Sequence, residues 1–265
     1  IMKFVGSDCR IHGHINQLRS DDGGTVSGRL SMSNPNLQQI PARDPELGPM
    51  IRSLFLPEEG ELWAAIDYSQ QEPRILTHYA SVFGTWKGLP LGGAKEFVDG
   101  YTNNPDMDFH TMVAEMANIS RKQAKTINLG MMYGMGVRKL ADQLDLEFED
   151  AKELTQQYHK RVPFVKELMN GVSRSVDQKS DGSLRSLKGR KCRFDMFEPM
   201  GYDVQKAMPL KEAKATYGET APLKRAYTYK ALNRLIQASA ADMTKQAMVD
   251  LYEAGERPLL QVHDE

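Results

Sequence analysis

Cysteine is nearly absent from this chain, and its charges almost cancel. Of 265 residues, only Cys9 and Cys192 are cysteines. Two cysteines are too few for the disulfide framework of a small secreted protein or for a cysteine-rich zinc site, which favours a reducing compartment. The 34 Lys and Arg residues and 35 Asp and Glu residues leave a formal net charge of −1. Bulk charge therefore does not indicate a nucleic-acid-binding protein, and any such site has to come from local clusters.

Long apolar runs are absent as well. No segment approaches the roughly 20 apolar residues that a membrane-spanning helix needs, and no secretory apolar core follows the first residues. With 40% hydrophobic and 26% charged residues, the composition is that of an ordinary globular protein. We therefore expect a soluble, intracellular protein without a membrane partner. Because it begins with Ile1 and stops directly after an apolar, strand-like run, we also expect an excised fragment.

Strand and turn signals precede helical ones along the chain. Leu62–Ile66 and Leu259–Val262 are short apolar runs, which predict buried strands. The other predicted elements, in chain order, are a helix from Pro73 toward Ala80, a glycine-rich loop over 84–100, helices over about 107–181, a hairpin over 181–194 and a long helix over about 222–254.

Each of the two apolar runs ends in carboxylates. Asp67 follows the first run, and His263, Asp264 and Glu265 follow the second. A carboxylate at the end of a buried strand is poorly solvated unless a partner neutralises it, and a divalent metal is the usual partner when two such ends meet. For either run alone, the start of a turn is the better interpretation. The segment between the two runs favours a metal site over two separate turns.

That segment, Ser120–Gly134, predicts a helix capped by its first serine. Arg121, Lys125 and Leu129 are spaced at i, i+4 and i+8, so they share one helix face. Two cations beside free backbone N–H groups at the positive end of a helix dipole suit a polyphosphate. A solvated basic face is the usual alternative for two charges at this spacing. Since the face continues through Leu129 and reaches Tyr133, the pattern favours a flat ligand beside the phosphates.

Several segments, in the order in which they occur along the chain, resemble the motifs of a known family. The family is that of the family A DNA polymerases, which include bacterial DNA polymerase I and many phage replicative polymerases. Its motifs A, B and C resemble, in that order, Asp67–Arg74, Arg121–Gly134 and His263–Glu265. The family's primer-side segment resembles Thr25–Ser31 with Asn34–Pro41, and its last palm helix resembles the segment with Asn233 and Gln237. The similarity runs from about Gly13 to Glu265, and chance agreement of five ordered motifs is negligible.

The resemblance implies a two-metal catalytic centre. Asp67 and Asp264 resemble the pair that holds two Mg²⁺ ions, with Mn²⁺ as a substitute, and the backbone carbonyl of Tyr68 would complete the coordination. Glu265 resembles a less essential catalytic neighbour, and His263 resembles a contact near the primer terminus. The implied reaction is in-line attack of the primer 3′-hydroxyl on a deoxynucleoside triphosphate, with release of pyrophosphate.

The resemblance also implies a nucleotide site. Arg121 and Lys125 resemble contacts to the triphosphate, with Lys125 a candidate proton donor to the leaving pyrophosphate. His110 resembles a further phosphate contact, although a lone histidine is more often structural. Glu72 resembles the side chain that packs beneath the sugar and excludes a 2′-hydroxyl, hydrogen-bonded to Tyr133.

A few positions depart from the family pattern. Leu129 stands where Phe or Tyr is more common, at a position that faces the nucleotide sugar. Leucine lacks a hydroxyl that could substitute for a missing 3′-OH, so we expect poor use of dideoxynucleotides. Tyr229 stands where many members carry Arg, and it is therefore left out of the predicted site. Pro73 in place of Leu and Gln39 in place of Asn are modest changes.

Contacts to DNA are implied at further positions. Arg29, Asn233 and Gln237 resemble side chains that touch the minor groove at the primer terminus, where acceptors common to all correct base pairs allow a check of geometry without sequence preference. Basic residues also cluster along the predicted hairpin and around the start of the long helix: Arg185, Lys188, Arg190, Lys191, Arg193, Lys224, Arg225, Lys230 and Arg234. Such clusters bind phosphates and position DNA without reading it.

The resemblance implies an α+β fold, a polymerase palm of antiparallel sheet and helices with an inserted, mostly helical fingers subdomain. We assign 1–80 and 232–265 to the palm, truncated at its C-terminal end, and 81–231 to the fingers. The predicted function is template-directed DNA synthesis in the replication of a phage genome, in the host cytoplasm. Primer-template DNA and deoxynucleoside triphosphates are the expected partners, and the sequence identifies no processivity factor.

Two alternatives stay open. A single-subunit RNA polymerase shares the palm and a similar fingers helix, but Glu72 at the sugar position and the ending His263–Glu265 argue against it. The chain as given could also be a nucleic-acid-binding or nucleotide-binding core with little or no turnover. Asp264 is the second-last residue, and a carboxylate on a fraying terminus would not hold a metal within the tolerance of phosphoryl transfer.

Overall fold

The chain forms two compact units in a computed structural model that describes residues 2–20, 23–41, 44–87, 91–201 and 206–265, without the side chains of 2 and 84–87. The first unit contains the residues up to Gln71 together with Gln237–Glu265, and the second is Glu72–Ile236. The sequence also predicts a turn over Asp21–Gly24, of which the first two residues lie outside the described part. No helix in the described ranges has the length and apolar character needed to cross a membrane.

The first unit combines a small sheet with short helices. Strands β1 (His14–Asn16) and β2 (Ser31–Ser33) pair antiparallel, with Ile15 opposite Met32. Two 3₁₀ turns (Met2–Phe4 and Leu37–Gln39), helix α1 (Leu47–Arg52) and most of the last helix, which spans Ala231–Glu253, complete the regular elements.

The two strands predicted before the carboxylates are wrong. Neither 62–66 nor 259–262 forms a strand, and Leu62 and Leu259 are 96% and 74% exposed. An apolar run predicts burial, but a strand also requires a neighbour that pairs its backbone N–H and C=O groups along its length. Gln261 is instead held by its backbone carbonyl, which accepts the side-chain N–H of Gln38 at 3.1 Å.

The second unit is mostly helical. Its helices are α2 (Gln71–Lys87), α3 (Ala94–Asn103), α4 (Phe109–Ala117), α5 (Arg121–Met132), α6 (Val137–Leu144), α7 (Phe148–Arg161), α8 (Pro163–Gln178), α9 (Leu210–Tyr217) and the start of α10 (Ala231–Glu253). The helices predicted over 107–181 are confirmed. The loop predicted over 84–100 is wrong, because α2 continues to Lys87 and α3 begins at Ala94, and residues 88–90 lie outside the described part.

Aromatic side chains form the centre of the second unit. Phe97 of α3 lies with its ring centroid 4.9 Å from that of Phe109 and 5.2 Å from that of Phe164, and all three are fully buried. Each such ring removes a large apolar surface from water. Helix α5 packs on α4, with Ala124 and Ile127 buried. This packing leaves the opposite, cationic face of α5 toward solvent.

Two small antiparallel sheets follow the helices. Strands β3 (Ser183–Arg185) and β4 (Lys191–Arg193) form the predicted hairpin, with Gly189 in its turn at φ +81°. A three-stranded sheet in the order β6 (Met208–Pro209), β5 (Met196–Pro199) and β7 (Leu223–Arg225) was not predicted. The predicted long helix from about 222 therefore begins later, at Ala231. Helices together with antiparallel strand pairs confirm the α+β class.

Candidate functional site

Carboxylates from both segments of the first unit lie near one another. The backbone N–H of Tyr68 donates to the carbonyl oxygen of Asp264 at 3.1 Å, which places Asp67 beside the last two residues. The pKa of the Asp67 carboxyl is raised, first by partial desolvation and then by the negative charges of Asp264 and Glu265. The structure thus brings together the two aspartates that the sequence assigns to a metal site.

These carboxylates suit a hard divalent cation. A positive ion would relieve the repulsion that raises the pKa of Asp67. Mg²⁺ prefers oxygen ligands and commonly takes only one or two carboxylates, keeping its other positions for water and phosphate oxygens. Within the described ranges, no group of three or more His, Cys, Asp or Glu side chains is arranged to hold a metal by itself. Asp67 and Asp264 therefore suit a divalent ion whose other ligands come from a substrate and from water.

Helix α5 presents its cationic face beside a well-formed N-terminus. Ser120 and Gln123 make a capping box, in which the backbone N–H of Gln123 donates to Oγ of Ser120 at 3.2 Å and the backbone N–H of Ser120 donates to Oε1 of Gln123 at 3.1 Å. Arg121 and Lys125 are exposed, and Leu129 is half-buried. The predicted face is present, with its two cations accessible to an anion.

A carboxylate that the sequence analysis missed holds Arg121. Nη2 of Arg121 donates to Oδ2 of Asp108 at 2.6 Å, while Oδ1 of Asp108 accepts the backbone N–H of Thr111 at 2.7 Å and caps α4. Partial burial would raise the pKa of Asp108, but the hydrogen bonds from Arg121 and Thr111 outweigh it and lower this pKa to about 2. The sequence signal for the cap is an Asp before a helical segment. No sequence pattern indicated that Asp108 pairs with Arg121.

His110 is buried and bonded to α5. Nδ2 of Asn128 lies 3.0 Å from Nδ1 of His110, and both side chains are buried. An amide nitrogen only donates, so Nδ1 accepts, and in the neutral ring the proton is on Nε2. Burial lowers the pKa of His110, the carboxylate of Asp108 opposes this shift, and two nearby cations on α5 reinforce it. Asn128 lies on the buried face of α5, where no motif distinguished it from a packing residue.

The predicted bond between Glu72 and Tyr133 is present. The Tyr133 hydroxyl donates to Oε2 of Glu72 at 2.7 Å. Glu72 lies in the first turn of α2, and Tyr133 is the C-cap residue of α5, followed by Gly134 at φ +69°. The Tyr133 side chain is 36% exposed. The bond therefore joins two helix ends and leaves part of the ring accessible to a ligand.

The residues predicted to contact DNA fall into two groups. Arg29 and His263 line one small pocket in the first unit, together with Lys245. Asn233 and Gln237 are one turn apart on α10, and both are half-buried. The structure brings the first two together in the fold, whereas the second two are neighbours through helical spacing alone.

Part of the basic cluster serves the fold of the second unit. Arg225 donates to the backbone carbonyls of Phe194 at 2.8 Å and Ser180 at 2.6 Å. Arg234 donates to the carbonyl of Arg193 at 2.7 Å, and its guanidinium lies 4.2 Å from the ring centroid of Phe194. Charge pattern alone cannot separate such structural arginines from phosphate contacts.

Comparison with known proteins gives consistent similarities. The sequence model of DNA polymerase family A matches residues 1–265. The chain is 39% identical to the DNA-directed DNA polymerase of Pseudomonas phage M6, over 97% of this chain and 41% of that protein. It is 33% identical to the thermostable DNA polymerase I of Thermus aquaticus, over 97% of this chain and 27% of that protein.

A solved structure is also similar. The POL domain of Pol1 from M. smegmatis, in complex with DNA primer-template and dNTP, matches with a TM-score of 0.71 and 31% identity, over 99% of this chain and 42% of that chain. The present chain thus spans about two fifths of the phage relative and about a quarter of the Thermus enzyme.

Proposed function

This chain belongs to DNA polymerase family A, and we propose that it carries the palm and fingers of an enzyme that adds deoxynucleotides to a primer 3′ end under the direction of a template. In this proposal residues 1–80 and 232–265 form the palm, and 81–231 form the fingers. The relatives named above as phage and bacterial DNA polymerases support it, as does the structural neighbour with primer-template and dNTP.

The observation that carries the proposal is the approach of Asp67 to Asp264. The two residues come from segments separated by the whole second unit, yet a backbone hydrogen bond from Tyr68 holds them together. Carboxylate charges close enough to raise the pKa of Asp67, which partial burial also raises, are costly to a fold unless a cation compensates them. This convergence is what phosphoryl transfer assisted by divalent ions requires.

Family A DNA polymerases are metal-dependent. Asp67, Asp264 and the backbone carbonyl of Tyr68 would hold Mg²⁺, or Mn²⁺ in its place, and Glu265 adds negative charge beside them. When bound, a pair of such ions makes the primer hydroxyl a better nucleophile and neutralises charge on the leaving pyrophosphate. The protein's part is to hold the two aspartates close together.

The cationic face of α5 is the proposed triphosphate site. Arg121 and Lys125 supply positive charge at exposed positions, and Lys125 can donate a proton to the departing pyrophosphate. His110 contributes an N–H donor at Nε2, since its Nδ1 accepts from Asn128. All three groups bind phosphate oxygens, and the two cations also neutralise their charge, so together they favour the transition state, in which charge on the leaving group increases.

Glu72 and Tyr133 are the proposed sugar site. The hydrogen bond between them holds the carboxylate in one place, where it would exclude a 2′-hydroxyl by contact. Leu129 would face the same sugar without offering it a hydroxyl. This arrangement favours DNA synthesis over the alternative of RNA synthesis.

Arg29, Asn233, Gln237 and His263 are proposed to contact the primer-template near the primer terminus. Arg29 and Asn233 carry donors that suit the minor-groove acceptors shared by all correct base pairs. The phage relatives further support a role in replicating a phage genome, in the cytoplasm of a bacterial host.

Primer extension tests the proposal. The chain, and a longer form that spans the full length of the phage relatives, are incubated with a DNA primer-template, Mg²⁺ and either deoxynucleotides or ribonucleotides. We expect extension with deoxynucleotides, loss of extension in Asp67→Asn, and normal extension in Glu256→Gln, a matched control at an exposed carboxylate of the same unit. Activity of the longer form alone would mean that this chain needs further segments. If neither form extends the primer although both fold, the proposed function is wrong.

A further inference from the structure

Asp108 connects the two helices that carry the proposed triphosphate site. Its Oδ1 atom accepts the backbone N–H of Thr111 at 2.7 Å and caps α4, the helix that contains His110. Its Oδ2 atom accepts a hydrogen bond of 2.6 Å from Nη2 of Arg121, the first residue of α5. One carboxylate thus fixes both the start of α4 and a cation of α5.

The bond to Asp108 leaves much of the Arg121 guanidinium available to a ligand. A guanidinium carries several N–H donors in a planar fork, and across the described residues Asp108 is its one hydrogen-bond partner. The side chain of Arg121 is 56% exposed, against 30% for Asp108. A phosphate can therefore bind Arg121 without displacing the carboxylate.

The other groups of the proposed triphosphate site lie close to this pair. Burial is the main cause that lowers the pKa of His110, and the charges of Asp108, Lys125 and Arg121 also act on it. His110 is in turn bonded to Asn128 of α5 at 3.0 Å. Helices α4 and α5 are therefore joined at Arg121 and again at Asn128, beside the proposed phosphate contacts.

An exposed arginine loses conformational freedom when it binds a ligand. Its long side chain has many rotamers, and ordering them on binding lowers the affinity. A bond to a carboxylate that Thr111 already holds in place orders Arg121 before the ligand arrives. The negative charge of Asp108 repels a phosphate, but water and salt screen this repulsion between partly exposed groups. We therefore expect the benefit of ordering to exceed the repulsion.

We propose that Asp108 is a positioning residue, which holds Arg121 in the orientation that binds the triphosphate. The inference rests on the proposed function, since it deepens the role given there to Arg121. The sign of the effect separates this role from simple electrostatics. Loss of a negative charge beside an anion site would by itself tighten the binding of a triphosphate, whereas loss of the positioning weakens it.

Asp108→Asn tests the inference, because its amide oxygen can still cap α4 while its amide nitrogen cannot accept from Arg121. Single-turnover primer extension gives the apparent Kd for a deoxynucleotide and the maximal rate, with whichever form of the protein extends primers in the assay above. We expect Kd to rise about 2- to 13-fold, the factor for one flexible side chain that must be ordered on binding, and the maximal rate to change by less than about twofold.

Two further variants control for damage to the fold. Asp108→Ser also keeps an oxygen that caps α4 and lacks the carboxylate, so it should weaken binding as Asp108→Asn does. Glu115→Gln is the matched control, because it removes an exposed carboxylate from the same helix, and it should bind as the wild type does.

A double-mutant cycle shows whether Asp108 acts through Arg121. In an Arg121→Gln background, Asp108→Asn should weaken binding no further, whereas in a Lys125→Gln background it should weaken binding as it does in the wild type. An unchanged or lower Kd in Asp108→Asn, or a further loss on top of Arg121→Gln, would overturn the inference while wild-type extension leaves the proposed function standing. A wild type that extends no primer overturns both.

Discussion

The hydroxyl of Tyr133 donates a hydrogen bond of 2.7 Å to Oε2 of Glu72, joining the C-terminal end of α5 to the first turn of α2. A carboxylate held in this way cannot easily rotate to make room for an additional oxygen atom. The bond therefore fixes the position of the Glu72 carboxylate in the proposed sugar site.

Removal of the Glu72 carboxylate should weaken the discrimination against ribonucleotides. In Glu72→Ala we expect the preference for deoxynucleotides over ribonucleotides to fall by about 5- to 150-fold, which corresponds to the roughly 1–3 kcal/mol of an overpacked contact. The ratio of kcat/KM for the two nucleotides measures it. Tyr133→Phe keeps the ring but loses the bond, so it should shift the ratio in the same direction by less. Unchanged ribonucleotide incorporation in Glu72→Ala would refute the assignment.

Leu129 should make the enzyme a poor user of dideoxynucleotides. Leu129→Tyr adds a hydroxyl that can replace the missing 3′-OH, and we expect the relative use of dideoxynucleotides to rise by about 10- to 150-fold, the equivalent of a hydrogen bond of roughly 1.5–3 kcal/mol to a charged group. Leu129→Phe adds the ring without the hydroxyl and is the control. The expectation fails if wild-type extension is already terminated efficiently by dideoxynucleotides.

Repulsion between Asp67 and its acidic neighbours should lower the thermal stability of the metal-free protein. Without metal, Asp67→Asn should melt at a higher temperature than the wild type, because the amide removes one of the like charges. Mg²⁺ at about 100 times its Kd should stabilise the wild type by about 2.7 kcal/mol through mass action, and the variant should respond much less. Thermal melts with and without Mg²⁺ measure both effects. An equal Mg²⁺ response in the two proteins would place the ion elsewhere.

The pair of Asp108 and Arg121 should stabilise the fold above pH 4. The native pKa of Asp108 is about 2 against an ordinary 3.8, so the ionised form favours folding, and this contribution is lost as the pH falls through 2. Asp108→Asn keeps a side-chain oxygen to cap α4 but lacks the charge. We expect a deficit of about 1 kcal/mol at pH 7, given the partial exposure of the pair, and a much smaller one near pH 2, where about half of the native Asp108 carboxyls are protonated. Urea unfolding across this range checks it; a deficit independent of pH would contradict it.

Asn128 should control which nitrogen of His110 carries the proton. Asn128→Leu keeps the side-chain size but removes the bond to Nδ1, so the N–H donor at Nε2 is no longer enforced. We expect KM for deoxynucleotides to rise about fivefold, as for a hydrogen bond of about 1 kcal/mol, with a smaller change in kcat. Solid-state ¹⁵N NMR of ring-labelled histidine reports the tautomer, and His110→Gln identifies the signal. An unchanged tautomer in the variant would show that Asn128 does not set it.

Local features of the fold were predictable where the chemistry is local. The cap at Ser120 needs only a hydroxyl and a few backbone groups, and the turn at Gly189 needs only a residue that tolerates positive φ. The strand predicted before Asp67 failed because pairing depends on a distant segment. The sheet of β5, β6 and β7 was missed because strands of two to four residues have no measurable alternation.

The candidate site shows the same division. Arg121 and Lys125 were identifiable from helical spacing, and the bond between Glu72 and Tyr133 from resemblance to the family. Asp108 and Asn128 were not, because their importance lies in what they touch: a guanidinium on another helix and a buried ring nitrogen. Contacts of that kind exist only after the chain has folded.

The hydrogen bond from Tyr68 to Asp264 has a consequence for the order of folding. It joins residues separated by most of the chain, with the whole second unit between them. The entropy of closing so long a loop opposes early formation, so contacts of this kind form late. A nascent chain can therefore complete α5, and with it the proposed triphosphate site, well before its carboxylates meet. Nucleotide binding would precede the ability to react, and a half-folded molecule would be inert.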